Sequence, residues 1–197
     1  MRAFLAIEIE ESLKNKIKKT QQTIKNTNSA KIKYIEDENI HLTLKFFGEI
    51  NQRKQKQISS IIRKTTENYE TYTMKLVKVG AFPNMNRPRV IWTGIKDNDT
   101  TINLIKELDD EFNKIGFKKE HDYTPHITIG RVRDVYNKNN LSNILKQLSK
   151  TYYGKMNIKK IHLKSSTLTP TGPIYETVEE FILWDDYYED CCWNNWC

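Results

Sequence analysis

The tetrapeptide His41-Leu42-Thr43-Leu44 returns as His126-Ile127-Thr128-Ile129, 85 positions later (126 − 41). Side chains alternate between the two faces of a β-strand, so His41 and Thr43 share one face while Leu42 and Leu44 share the other. The second copy has the same polarity. Each copy therefore sets an imidazole and a hydroxyl about 7 Å apart at the Cα level, on a strand whose reverse face belongs in a core. Two such strands facing each other make a cleft with two histidines and two threonines pointing inward, a group able to donate and accept protons around one oxyanion. One copy alone would read as a strand with a buried, hydrogen-bonded histidine. The chain has four histidines, and the other two, His121 and His162, lack the pattern and read as ordinary loop or surface residues.

The elements around the motifs follow from periodicity. Residues 2–9 alternate as a strand. Residues 11–25 set Leu13, Ile17 and Ile24 on one helical face, with Glu10 and Glu11 in the first turn. Lys31–Tyr34 suits a short strand ahead of the first motif strand (41–47), which Gly48-Glu49 should end. A second helix is expected near 51–67 and a strand near 72–80. The turn-rich basic loop Phe82–Arg89 leads into the strand Val90–Thr93. The third helix carries Ile102, Ile105, Leu108, Phe112 and Ile115, and Gly116 stands where it should stop. The second motif strand spans 126–132 and a shorter helix uses Leu141, Ile144, Leu145 and Leu148. Strands near 155–166 and 174–182 would close the fold. Each half thus reads strand, helix, strand around a His-x-Thr segment. The fold class expected is α+β and bilobed, a duplicated arrangement of two antiparallel sheets with helices outside and a central cleft.

A chain of 197 residues with 29% charged residues and a net charge of +7 fits a globular fold that attracts anions. Nucleic acid suits best, although a Lys/Glu-rich surface can also be a general habit of a proteome. No segment has the length of a membrane span, and the first residues suit a strand rather than a signal peptide. All three cysteines, Cys191, Cys192 and Cys197, fall in the last seven residues, which points to a cytoplasmic protein without a disulfide framework. Residues 1–182 read as a single bilobed unit, and 183–197 as an acidic, aromatic, cysteine-rich extension. No His-x-x-x-His, carboxylate cluster or Walker-type glycine loop occurs, so neither a metal nor a cofactor is indicated.

Four segments carry a family resemblance. They are Met1–Ile9, His41–Glu49, Phe82-Pro83-Asn84 with Arg87–Trp92, and Pro125–Val132. Together they resemble the RNA 2′,3′-cyclic phosphodiesterase branch of the 2H phosphoesterase superfamily (LigT-like), also called 2′-5′ RNA ligases. The resemblance runs from residue 1 to about 182. It implies a bilobed fold with a pseudo-twofold axis, each lobe giving one motif strand to the cleft. It also implies metal-independent hydrolysis of an RNA-terminal 2′,3′-cyclic phosphate to a 2′-phosphate, with an associated reversible 2′-5′ ligation. The partners expected are RNA ends bearing that phosphate, tRNA-derived ends among them, and a monomer is expected.

Catalysis falls to His41 and His126, with His41 as proton donor to the ribose 3′ oxygen and His126 as base toward water by family precedent. Thr43 and Thr128 would bind the phosphate. Arg131, five residues after His126, lies on the wrong face of an ideal strand, so the family's use of an arginine here requires a bulge or twist at Gly130. Arg87 and Arg89 are candidates for the RNA backbone. Phe46 and Phe47 could stack on a terminal base, with at least one of them in the core. Two other readings stay open: a non-catalytic binder of RNA ends or small nucleotides in the same cleft, and a metal protein using the two histidines.

Overall fold

The computed structural model describes residues 1–170 and 172–185. Along the chain run β1 (Arg2–Glu8), α1 (Glu11–Lys25), β2 (Ala30–Tyr34), a 3₁₀ turn (Asp37–Asn39), β3 (His41–Glu49), α2 (Gln52–Thr66), β4 (Tyr72–Phe82) and β5 (Val90–Lys96). Then follow α3 (Thr100–Lys114), β6 (His126–Val135), α4 (Lys138–Leu148), β7 (Tyr152–Ile158), β8 (Lys160–Leu168) and β9 (Pro173–Ile182). The helices form where apolar side chains recur at helical spacing: α1 buries Leu13, Ile17, Thr20, Gln21 and Ile24 along one stripe. Asn51 and Asn137 cap α2 and α4 by accepting from Lys54 N and Asn140 N. Helix α3 ends as Gly116 predicts. Gly116 adopts φ +94, its N–H donates to Asn113 O at 2.9 Å, and Phe117 N–H reaches back to Phe112 O at 3.1 Å. That pair of bonds is a Schellman stop.

The hydrogen-bonded order of the strands is β7-β4-β5-β6-β3-β1-β8-β9, with β2 added alongside β6. The motif strands β6 and β3 occupy the middle and share one pair, Leu42 opposite Ile127. Leu42 and Ile127 are the second residues of their respective motifs, so the pairing has the form a local twofold axis demands. Along that order four strands lie on either side of it. Helices α2 and α3 back the β3-β1-β8-β9 side, and α1 and α4 back the other.

The bilobed α+β fold is therefore as expected, but the lobes are not the two halves of the sequence. Strand β2 and helix α1 come from the first 34 residues and pack with β6, while β8 and β9 return to β1. The single strand anticipated at 155–166 is two strands at opposite sides of the molecule, β7 against β4 and β8 against β1. The physical sign is a slip of phase. Met156 and Ile158 are buried at spacing two, but the next buried residue is Ile161, at spacing three.

The packed chain continues past β9: Leu183 is buried, and Trp184 N–H donates to Tyr69 O at 2.9 Å. The rest of the cysteine-rich extension, with Cys191, Cys192 and Cys197, lies outside the described residues. Among the described residues no helix is long and apolar enough to cross a membrane.

One buried ion pair ties the approach to the second motif to the first motif strand. Lys45 of β3 is 5% exposed, and its ammonium donates to Asp109 of α3, to Lys118 O at 2.7 Å and to Glu120 Oε1 at 3.1 Å. The other oxygen of Asp109 accepts from Glu120 N–H and from Tyr123 O–H, both at 2.7 Å. Burial pushes the Asp109 carboxyl pKa up, but these hydrogen bonds outweigh it and hold it below the usual value. The segment leading to His126 is thereby clamped on β3. Lys45→Met should cost about 3–5 kcal/mol in urea unfolding, because it strands a buried carboxylate. Since the folded Asp109 pKa lies below its unfolded value near 4, its contribution is complete above about pH 4. It is lost as the pH falls through the folded value. Lys45→Met should remove that acid limb, and an unchanged urea midpoint would refute the clamp.

Candidate active site

The sequence places a carbonyl two residues before each motif histidine, and the fold uses it. His41 Nδ1 is 2.8 Å from Asn39 O, and His126 Nδ1 is 2.8 Å from Thr124 O. A carbonyl can only accept, so Nδ1 carries hydrogen in both rings and Nε2 is the nitrogen left for chemistry. His41 Nε2 meets Thr43 Oγ1 at 3.0 Å. In the neutral ring that contact is Thr43 donating; in the charged ring it reverses. Each imidazole also leans on aromatic side chains. His41 sits 5.0 Å from Phe4 and 5.4 Å from Tyr175, and His126 sits 4.9 Å from Phe82 and 6.3 Å from Trp92.

Both pairs open on one cavity of about 330 Å³, whose walls include His41, Thr43, His126, Thr128, Arg131 and Tyr175. That volume is at the lower end of small-molecule sites.

Arg131 reaches this cavity because β6 carries an extra residue. Against β5, Thr128 pairs with Trp92 and Gly130 with Ile91, which leaves Ile129 unopposed; Arg131 then pairs with Val90. Since Gly94, Trp92 and Val90 share a face, so do their partners His126, Thr128 and Arg131. The bulge expected at Gly130 is therefore present, one residue earlier. The carbonyl of Ile129 accepts from Ile35 N–H at 3.1 Å and from the buried Gln21 amide at 3.1 Å. Strand β3 has the same irregularity. Thr43 pairs with Ala6 and Lys45 with Leu5, so Leu44 is the extra residue and Phe46 joins the face of His41 and Thr43. Phe46 is thus the counterpart of Arg131, both five residues after their histidines. It is 68% exposed at the cavity wall, while Phe47 is buried against Phe112 and Phe117.

Arg87 and Arg89 do not line the cavity. Both are exposed, and Arg89 instead serves the sheet through its backbone, donating to Phe82 O at 2.7 Å and accepting from Val132 N–H at 2.9 Å. His162 is not the surface residue its sequence context suggested: it is 2% exposed on β8, with Glu8 and Glu180 carboxylates 4.0 and 3.4 Å from Nε2.

Two wall residues were not singled out in the sequence. Lys33 stands directly opposite Arg131 on β2, and two cations facing each other repel unless an anion lies between them. Its position was readable only once β2 was known to pair with β6. Tyr175 comes from β9, remote in sequence, and no local pattern marks it. Burial raises the Tyr175 phenol pKa, with Arg131 and Arg2 pulling it back down. Among the described residues no three His, Cys, Asp or Glu side chains converge as a metal-ligand set.

Burial lowers the His41 pKa to about 4, against the opposing effect of its bond to Asn39 O. Lys164 pushes it lower still and Glu8 pulls it up. His41 is therefore neutral at pH 7 in the free chain, and an anion in the cavity should raise its pKa. A proton NMR titration of the ring should place His41 near pH 4 alone and higher with a nucleoside 2′-phosphate present. Titration near 6.5 in both conditions would contradict the buried, ligand-responsive ring.

The LigT like Phosphoesterase profile matches residues 7–92 and 95–175. The chain is 39% identical over 183 residues to a Methanothermobacter thermautotrophicus protein named RNA 2′,3′-cyclic phosphodiesterase, covering 93% of this chain and 99% of that one. A Methanocaldococcus jannaschii protein of the same name is 41% identical over 181 residues, covering 92% and 100%. Among solved structures, TT0787 of Thermus thermophilus superposes with a TM-score of 0.79 at 21% identity, covering 94% of this chain and 100% of that one. Escherichia coli LigT complexed with 3′-AMP superposes with a TM-score of 0.73 at 21% identity, covering 92% and 97%. With its paired His-x-Thr strands at the centre of that fold, the chain belongs to the LigT-like phosphoesterases of the 2H superfamily.

Proposed function

We propose that this phosphoesterase opens the 2′,3′-cyclic phosphate at an RNA end and leaves a 2′-phosphate and a free 3′ hydroxyl. The observation that carries the reading is the pair of imidazoles on the wall of one cavity, each with Nδ1 held by a carbonyl so that Nε2 is left for chemistry, and each followed by a threonine on the same face. The names of the two archaeal relatives support RNA as substrate. The charge of +7 and the opposed Lys33 and Arg131 support an anionic ligand.

In the forward direction His126 Nε2 takes a proton from water as its oxygen bonds to phosphorus. The phosphorus–O3′ bond breaks on the opposite side, and O3′ takes the proton held by His41 Nε2. One proton is gained by His126 and one lost by His41, and exchange with solvent resets both rings. Since free His41 is neutral, the phosphate charge raises its pKa on binding, so the donor is armed by the substrate itself. Thr43 and Thr128 hydroxyls donate to the non-bridging oxygens, and Arg131 with Lys33 balances the charge that develops there. Phe46 offers its exposed face to the terminal base. The same proton transfers in reverse would join a 2′-phosphate end to a hydroxyl. No step calls on a metal ion. Both histidines come from one chain, so a monomer suffices, and RNA processing in the cytoplasm is the setting this reading implies.

The test is an oligoribonucleotide with a 2′,3′-cyclic end, followed by phosphorus NMR of the product with chelator present. A 2′-phosphate is expected, with kcat lowered about 10²- to 10⁴-fold in His41→Ala and in His126→Ala. A 3′-phosphate product would overturn the assignment of His41 as donor to O3′. Tight binding without turnover by the unaltered chain would make it a binder of RNA ends instead.

A further inference from the structure

Lysines occupy directly opposed positions on three neighbouring strands: Lys75 of β4 faces Lys96 of β5 on one side and Lys155 of β7 on the other. All three are exposed, and none of their ammonium groups has a hydrogen bond or ion pair among the described residues. Like charges directly opposite one another destabilise a sheet. Protecting a sheet edge explains a lysine on β7, which ends the order, but not lysines on the interior strands β4 and β5.

The row lies on the face that carries the active site. Lys96 is two residues along β5 from Gly94, which pairs with His126, so Lys96 and His126 point the same way. From His126 the row begins roughly 5 Å across and 7 Å along the strands and ends at Lys155, roughly 15 Å across. Aromatic side chains are interleaved with it. Trp92 pairs with Thr128 and lies flat against Gly80, where a Cβ would stand 2.2 Å from the indole. The Lys78 ammonium is 5.5 Å above the Trp92 ring, and Tyr152, opposite Val77, is 60% exposed.

A second depression of about 430 Å³ sits between, sharing Tyr123, Thr124 and Pro125 with the catalytic cavity. Of its two carboxylates, Asp97 is turned into α3, accepting from Thr101 N–H at 3.1 Å and from the Thr101 hydroxyl, and Asp99 is at the exposed end of the loop.

We propose that this face is the track for the body of the RNA. Backbone phosphates 5′ to the terminal nucleotide lie on Lys96, Lys75 and Lys155, and the exposed Tyr152 presents its ring to a base between them. The proposal rests on the cyclic-phosphate reading of the active site and extends it to substrate length. The chain should prefer oligonucleotides to mononucleotides, which seat in the catalytic cavity without reaching the row.

The experiment compares the unaltered chain with K75A/K96A/K155A on an oligoribonucleotide of about eight nucleotides bearing a 2′,3′-cyclic end and on cytidine 2′,3′-cyclic monophosphate. The triple variant should lose about tenfold or more in kcat/KM on the oligonucleotide and stay within about twofold on the mononucleotide. Its slope of log affinity against log salt should be shallower by about 2, three contacts on a single strand. K75E adds a second readout. It sets a carboxylate between two ammonium groups, so Tm should rise by about 1–4 °C while oligonucleotide binding weakens. Equal losses on both substrates, or no loss on either, overturn the track. If the unaltered chain turns over neither substrate, the hydrolytic reading has failed. Fluorescence anisotropy with a 2′-phosphate-ended oligonucleotide then decides the track separately: weaker binding by the triple variant supports it, and equal affinity overturns it.

Discussion

One inserted residue in each motif strand determines what the cleft contains. A strand repeats every two residues, so a side chain five positions after a histidine belongs on the opposite face. Ile129 in β6 and Leu44 in β3 stand unopposed by their partner strands, and each insertion restores the parity that brings Arg131 and Phe46 beside His126 and His41. In β6 the carbonyl of the inserted residue accepts from Ile35, which continues the register of β2, and from Gln21, so α1 and the chain after β2 hold the irregularity that aims Arg131.

The two insertions also explain why the lobes diverge. The residue after each insertion falls on the strand face opposite its histidine: Lys45 in one lobe and Gly130 in the other. At Gly130 the added strand β2 covers the position so closely that a Cβ would sit 2.7 Å from Ile32 Cγ2. Among the described residues the first lobe has no such strand over Lys45, and α3 supplies Asp109 in its place. A small residue under a strand and a cation against a helix are two answers to the same geometric vacancy. The second also clamps the segment that presents Thr124 O to His126.

Much of this was legible in the chain, and what was not has identifiable causes. The motif strands, the four helices and the stop at Gly116 all followed from local chemistry. The parity conflict at Arg131 correctly announced a bulge, because a family arginine on the wrong face leaves no other resolution. The split of β7 from β8 was readable as the three-residue spacing from Ile158 to Ile161, but an uninterrupted run of strand-forming residues masked it. Arg87 and Arg89 stand on an exposed loop outside the cavity wall, and the backbone of Arg89 continues the sheet. The burial of His162, the placement of Tyr175 over His41 and the row Lys155-Lys75-Lys96 all depend on which strands become neighbours. That information resides in pairings between residues far apart in sequence, which local periodicity does not encode.

A site built about a twofold axis faces a difficulty that the structure resolves by unequal surroundings. Two identical imidazoles around one phosphorus would not distinguish the attacking oxygen from the departing one. Here the pair Leu42 and Ile127 keeps the backbone equivalence, and everything beyond it differs. His41 is enclosed by Phe4 and Tyr175 and has a pKa of about 4, whereas His126 is the more open ring, with its hydrogen bond to Thr124 O at an exposed position. The fifth residue after the histidine is an exposed phenyl on the side of His41 and a guanidinium on the side of His126. On the proposed reading these differences orient the ligand. The base lies toward Phe46, the ribose oxygen departs toward the enclosed imidazole, and the phosphate oxygens and water lie toward Arg131 and the open one. The strand 5′ to the terminal ribose turns back past Thr124 and Pro125, which border both the cavity and the depression leading to Lys96. The duplication provides two matched proton carriers, and the direction of the reaction comes from what each lobe has placed around its own.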